Sequence, residues 1–183
     1  MSTKELPSPE LLRQLLRYDP DTGKLYWKER TPDMFGNGRC KAFNSQFANK
    51  EAFTFIDSDG YKRGNVLNQR PYLAHRVAWA ITHGKWPLNH IDHINGIRDD
   101  NRIVNLRDVS RSQNQRNQKL PTHNTSGVIG VSWANREKKW NAYITIDRRR
   151  RSLGYFTDFT EAVSARKEAE AKYGFHPNHG RSQ

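Results

Sequence analysis

The 183 residues carry 31 Lys and Arg against 19 Asp and Glu, a net charge of +12 and a pI near 10.0, which favours a polyanionic partner. Only 34% of the residues are hydrophobic, and no run approaches the ~20 apolar residues of a membrane-spanning helix, so small modules with modest cores are expected and no membrane is expected as a partner. Met1-Ser2-Thr3-Lys4-Glu5 does not read as a secretory signal, and the lone Cys40 excludes a disulfide within these residues, so a reducing, cytoplasmic setting is expected.

In chain order, Ser8-Pro9-Glu10 offers an N-cap with proline at the first helical position, and Leu11, Leu12, Leu15 and Leu16 recur at helical spacing. A short amphipathic helix is expected there. Residues 19–23 read as a turn and 24–28 as a strand. Residues 30–50, which include Gly36, Asn37 and Gly38, show no period and read as loop. Residues 52–56, a turn at 57–60 and residues 61–67 read as a hairpin, so residues 1–70 make a small β/α scaffold with no evident chemistry. Residues 71–81 start with Pro71 and are followed by Gly84, the punctuation of a helix; Tyr72, His75 and Trp79 share one of its faces.

The stretch from His90 to Asn114 concentrates the residue types that chemistry needs. Asp92 directly precedes His93, Asn95-Gly96 marks a turn, Asn105-Leu106 follows, and Ser110 with Gln113 forms a capping-box pattern that sets Asn114 in the first turns of a helix over 112–119. Residues 91–94 and 103–109 read as the two strands of a hairpin before that helix. Phosphodiester hydrolysis calls for a hard cation on oxygen ligands and a base that titrates near neutrality; Asp92 and Asn114 offer the oxygens and His93 the imidazole. Asp99 and Asp100 are alternative ligands but read better as a solvated turn, and His90 and His75 read as peripheral. Without paired cysteines, a zinc site built on His90 and His93 fits poorly.

Taken together these residues resemble the HNH, or ββα-metal, motif of phage and intron-homing endonucleases, most clearly over 71–119. The resemblance implies that His93 is the general base, that Asp92 and Asn114 hold one Mg²⁺ or Mn²⁺ per active site, and that Asn105 braces the loop between the strands. Asn114 stands where the family often has His. His75-Arg76 also resembles a dipeptide that recurs just upstream of this motif.

Residues 120–127 are polar and rich in breakers, as in a linker. Beyond them, 128–133, 139–147 and 150–156 read as three strands, and Asp158 with Glu161 opens a helix ending near Gly174, with Phe159, Ala162, Val163, Ala169 and Tyr173 as its buried stripe. Trp140, Ala142, Ile144 and Ile146 alternate with Asn141, Tyr143, Thr145 and Asp147, so one sheet face can pack on the helix and the other stays free. Over 126–176 this segment is similar to the APETALA-type, ethylene-response-factor-like DNA-binding domain, on Gly130-Val131, Lys139-Trp140, Ala142, Ile144, Leu153-Gly154 and Phe156. That likeness implies a sheet laid in the major groove; Ser132 and Ala134 stand where the plant family carries arginines.

The reading is therefore an α+β protein: a scaffold (1–70), a ββα nuclease module (71–119), a linker (120–127), a three-stranded antiparallel sheet packed on one helix (128–176) and a tail (177–183). Its expected activity is metal-dependent cleavage of double-stranded DNA by a monomer or weak dimer. The DNA contacts expected are Arg102, Arg107, Arg111, Arg116, Trp133, Arg136, Lys138, Lys139, Tyr143 and the run Arg148, Arg149, Arg150 and Arg151. The alternatives are a DNA-binding regulator that retains the motif as structure, and an RNA-directed protein, since both polymers present phosphates.

Overall fold

The computed structural model describes residues 5–35, 39–66 and 71–181. They form a mixed α and β structure with small antiparallel sheets, in two compact units divided between Asp108 and Val109.

The first unit opens with α1 (Pro9–Leu15), where the Ser8 hydroxyl accepts from Leu11 N at 3.1 Å. β1 (Leu16–Asp19) and β2 (Lys24–Trp27) pair antiparallel around a turn closed by Gly23, and β3 (Glu51–Ala52) adds to β2. Within the span expected to be loop, the chain instead forms α2 (Pro32–Phe35) and α3 (Arg39–Phe47). No amphipathic period announces α3, because it is fixed by a few specific contacts. Phe43 packs on Phe47 four residues later and edge-on to Trp27 at 5.8 Å, while the Asn44 side chain bonds both backbone groups of Arg30.

β4 (Phe55–Ile56), β5 (Lys62–Gly64) and β6 (Tyr72–Leu73) make a second small sheet. Part of the hairpin expected over 61–67 thus exists as β5; Leu67 lies outside the described residues. The helix expected from Pro71 begins later, as α4 (Ala74–His83), because Tyr72 and Leu73 are first claimed by pairing with Gly64 and Arg63. Gly84 closes it at φ 67, a left-handed C-cap. The buried core joins Leu12 and Leu15 of α1 and Leu16 of β1 to Leu25, Phe53 and Val66 and to Ala74 and Val77 of α4.

β7 (His90–His93) and β8 (Leu106–Val109) form a two-stranded sheet. The second strand is shorter than expected, since Ile103–Asn105 is a 3₁₀ turn that precedes it. Ile91 and Leu106 pack on Ala78 of α4, which fixes β7 and β8 against the scaffold.

The second unit contains α5 (Arg111–Gln115), β9 (Val131–Ala134), β10 (Lys139–Ile146), β11 (Arg149–Phe156) and α6 (Phe159–Lys172). The sheet order is β11-β10-β9, all antiparallel. Val131, Ala142 and Ala162 form one core cluster and Ile144, Ile146 and Ala169 a second, as the alternation along β10 requires. Asp158 caps α6 through Thr160 N and Glu161 N. Two charged residues also face the core: Arg166, 2% exposed, binds Glu170 through Nε at 2.9 Å and gives Nη1 to the Tyr143 carbonyl at 2.8 Å. The segments expected as linker and tail are tied to this unit. Leu120 N donates to Arg181 O and Gly180 N to Gln118 O, His176 N bonds Arg116 O, and His179 is buried.

Candidate active site

The sequence-selected residues of the first unit converge around β7. Two outside anchors aim that strand. Arg76 donates to the carbonyls of Asn89 and Pro87 at 3.0 and 3.1 Å, and the Asp108 carboxylate accepts from Leu88 N and Asn89 N at 2.9 and 3.0 Å. The strand then buries Asp92 and His93 and leaves His90 exposed.

His93 is 4% exposed, and its Nε2 lies 3.1 Å from Asn101 Oδ1. With that oxygen accepting from Nε2–H, the lone pair of the neutral ring is on Nδ1. Burial pushes the His93 pKa below its ordinary value, while the Asn101 hydrogen bond and the charges of Asp92, Asp100 and Asp99 partly restore it. Burial thus favours the neutral ring, the form a base requires. Two more rings enclose it: His75 meets it edge-on at 5.0 Å, and Tyr61 lies 5.9 Å from it and 5.2 Å from His75. The Arg98 guanidinium covers Tyr61 at 5.2 Å. His75 is itself buried, and desolvation by burial, with the neighbouring His93 second, lowers its pKa to about 3.

The loop between β7 and β8 is held by its own side chains. Asn105 accepts from Asn95 N at 3.0 Å and donates to Asp100 O at 2.8 Å, and Asn95 Nδ2 donates to the Asp100 carboxylate at 2.7 Å. Arg102 forks onto Asp100 as well, and these hydrogen bonds hold the Asp100 pKa at about 2. Asn101 is 1% exposed; its carbonyl accepts from Tyr18 Oη at 2.7 Å, and Gly23 packs directly on the Asn101–Arg102 backbone. Neither Tyr61 nor Asn101 stands out in the sequence. Asn101 sits in a charged run that reads as solvent-exposed, and Tyr61 reaches the site from another sheet, which no local period reveals.

Asp92 is engaged by Arg107, whose Nε and Nη2 both bind Oδ2, at 2.8 and 2.6 Å. Arg102 and Arg107, expected to meet DNA, are therefore each turned to a carboxylate. Asn114 lies in the second unit, half-buried on α5, whose capping box is formed by Ser110 and Gln113. Among the described residues, no group of three or more His, Cys, Asp and Glu could hold a metal ion.

Residues 72–116 match the family model for HNH endonuclease. The HNH segment so defined includes Asp92, His93, Asn105 and Asn114. Over 74 residues the chain is 34% identical to "Protein 3.8" of Escherichia phage T7, an alignment that takes in 40% of this chain and 61% of that protein. The chain thus spans about three-fifths of that relative. No solved structure matches. Among the described residues, no helix is long and apolar enough to cross a membrane.

In the second unit the expected DNA-binding residues separate by face. Tyr143 pairs with Ser152 and Thr145 with Arg150, on the face turned away from the core, and the Arg150 guanidinium lies 3.5 Å above the Tyr143 ring. Trp133 pairs with Trp140 on the opposite face, with ring centroids 5.3 Å apart, and is 45% exposed. Arg149 and Arg151 pair with the core residues Ile146 and Ile144 and so point to the helix side. Lys139 is exposed at the start of β10, and Arg136 and Lys138 lie in the turn before it. Arg116 turns inward, with Nη1 donating to Tyr173 O at 2.9 Å.

Proposed function

We propose that this protein is a metal-dependent DNA endonuclease of the HNH type. The observation that carries the reading is the buried His93, its Nε2 on Asn101 and its ring enclosed by His75 and Tyr61, inside the segment that matches the HNH family. His93 Nδ1 takes a proton from a water whose oxygen attacks phosphorus in line. The new P–O bond forms as the bond to the 3′-oxygen breaks, and the departing oxygen takes a proton from solvent water, leaving a 5′-phosphate and a 3′-hydroxyl. Asn105 acts by bracing the loop that carries Asn101, and Asn101 fixes the tautomer of the base.

A divalent cation fits the donor chemistry: the carboxylate of Asp92 and the amide oxygen of Asn114 are hard ligands, and Mg²⁺ keeps several waters when few protein ligands are offered. When bound by these two residues, Mg²⁺ or Mn²⁺ supplies charge neutralisation at the phosphate and the leaving oxygen. Arg107 holds Asp92 Oδ2, so a cation bound at this carboxylate would share it with the guanidinium or displace it. The second unit contributes affinity through its outward sheet face, with Lys139, Tyr143 and Arg150 nearest the duplex.

The Asp92–Arg107 ion pair also favours a second reading, a DNA-binding regulator in which the motif serves as structure. Incubation of supercoiled plasmid with Mg²⁺ and with chelator separates the two. Nicked or linear product in Mg²⁺ alone supports the nuclease; binding without cutting in any divalent metal supports the regulator.

A further inference from the structure

The second unit contains a cleft of about 850 Å³ that runs from α5, at the end of the HNH match, to the edge of the outward sheet face. Its walls are α5, the Ile129–Gly130 turn, the second half of β10, Arg166 of α6, and Phe175 and His179 beyond that helix. It exists because β9 is short. β9 pairs with β10 only from Lys139 to Ala142, whereas β11 pairs as far as Ile146. From Tyr143 onward, no described strand covers that edge of β10. Tyr143 N still reaches Gly130 O at 2.8 Å and its carbonyl is plugged by Arg166, but Thr145, two residues on, faces the opening.

The charges around the opening divide into two kinds. Arg166 and Arg116 are spent on the walls: one binds Glu170, Tyr143 O and His179, the other Tyr173 O and the Phe175 ring. Arg111 and Arg148 also line the cleft, are exposed, and make no ion pair with a described carboxylate; Asp147 is the one acidic residue of the lining. Arg148 also stands where the backbone disfavours it. Asp147 (φ 49) and Arg148 (φ 63) are the two central residues of the tight turn between β10 and β11, a geometry that favours Asn-Gly. A large cation held at a left-handed position at the mouth of a polar cleft departs from the local rule, as functional positions do.

We propose that this cleft seats a stretch of sugar-phosphate backbone of duplex DNA, with Arg111 and Arg148 as its phosphate-binding cations and the hydroxyls of Ser112 and Thr145 as further donors. The proposal rests on the DNA reading above and extends it. Tyr143 and Thr145 belong both to the cleft and to the outward sheet face, so one strand passes continuously from that face over the edge of β10 onto α5. Arg111 and Arg148 thereby fix the register of the duplex while carrying no sequence information.

The test is binding of a labelled 30-base-pair DNA duplex to the full chain in chelator, at several salt concentrations, for wild type and for Arg111→Gln with Arg148→Gly. Removing one phosphate-binding cation lowers the slope of log K against log[salt] by about 0.9, so the double variant is expected to lose nearly two units and to bind about tenfold or more weakly at 0.1 M salt. Arg148→Gly suits the turn better than arginine, and its thermal midpoint should equal or exceed that of the wild type, which separates impaired binding from impaired folding. An unchanged slope in the double variant, with wild type binding normally, overturns the cleft alone. Wild type that binds no duplex DNA overturns the cleft and the DNA reading together, and tighter binding of an RNA duplex overturns the choice of polymer.

Discussion

Replacing Gly23 by alanine tests whether the scaffold sets the geometry of His93. Gly23 has φ +71, and a Cβ built on it lies 2.5 Å from Arg102 N and 2.6 Å from the carbonyl carbon of Asn101. The left-handed conformation costs alanine about 1–2 kcal/mol. Forcing a methyl group against two backbone atoms that cannot rotate away adds about 1–3 kcal/mol, so the total is roughly 2–5 kcal/mol, a large part of the ~5–15 kcal/mol that typically stabilises a domain. Gly60→Ala is the control: its φ is +83, but its nearest neighbour is the flexible Arg98 side chain at 3.9 Å, so only the conformational cost applies. Amide hydrogen exchange read on peptides from residues 5–108 measures the opening free energy of this unit without interference from the second. Gly23→Ala should lose about 1–3 kcal/mol more than Gly60→Ala and should lower cleavage, because Asn101 retreats from His93 Nε2. Equal losses at both glycines, with cleavage intact, would refute the claim that the β1–β2 turn supports the site.

Acid should weaken the first unit through His75. Its folded pKa of about 3 lies below the ordinary 6.5, so the unfolded state binds the proton first, and stability present above pH 6.5 is lost as the pH falls toward 3. At ~1.4 kcal/mol per unit, the loss from this residue between pH 6.5 and 5 is about 2 kcal/mol, and His75→Gln should flatten the pH dependence by that amount in the same exchange experiment; an unaltered slope contradicts the assignment. Arg166→Ala should cost the second unit about 3–5 kcal/mol by leaving Glu170 buried without its main partner. Joint replacement with Glu170→Leu and Arg166→Met should recover most of the loss in thermal unfolding, and failure to recover would show that the bond to Tyr143 O matters more than the charge pair. Tyr61→Ala should reduce cleavage about tenfold to a hundredfold by loosening the ring cage of His93, while Tyr61→Phe should cut nearly as well as wild type; equal activity of all three removes Tyr61 from the site.

Where local chemistry decides structure, the sequence is readable. Ser8, Ser110 and Asp158 cap their helices, Gly84 closes α4, and the alternation along β10 matches its burial from Asn141 to Ile146. Where a few distant contacts decide, it is not. α3 stands on Trp27, Phe43 and Asn44 rather than on a periodic face, and Tyr72 stays out of the helix that Pro71 announces because Gly64 offers it a strand partner. The buried Arg166 and Glu170 are invisible to a stripe of apolar residues, since charged side chains count as exposed until a partner is found. In the candidate site, Asp92, His93 and Asn105 announce themselves by type and spacing. Asn101, Tyr61 and the ion pair on Asp92 depend on side chains converging from separate elements, which one-dimensional spacing does not record.

The central claim is that His93 is the base of a nuclease. Supercoiled plasmid incubated with Mg²⁺ and the wild-type chain, in parallel with His93→Ala, tests it most directly when DNA binding is measured on the same samples. Wild type should cut in a metal-dependent way and His93→Ala should not, with affinity for DNA nearly unchanged. Normal cutting by His93→Ala, or no cutting by a wild-type protein that binds the plasmid, would contradict it.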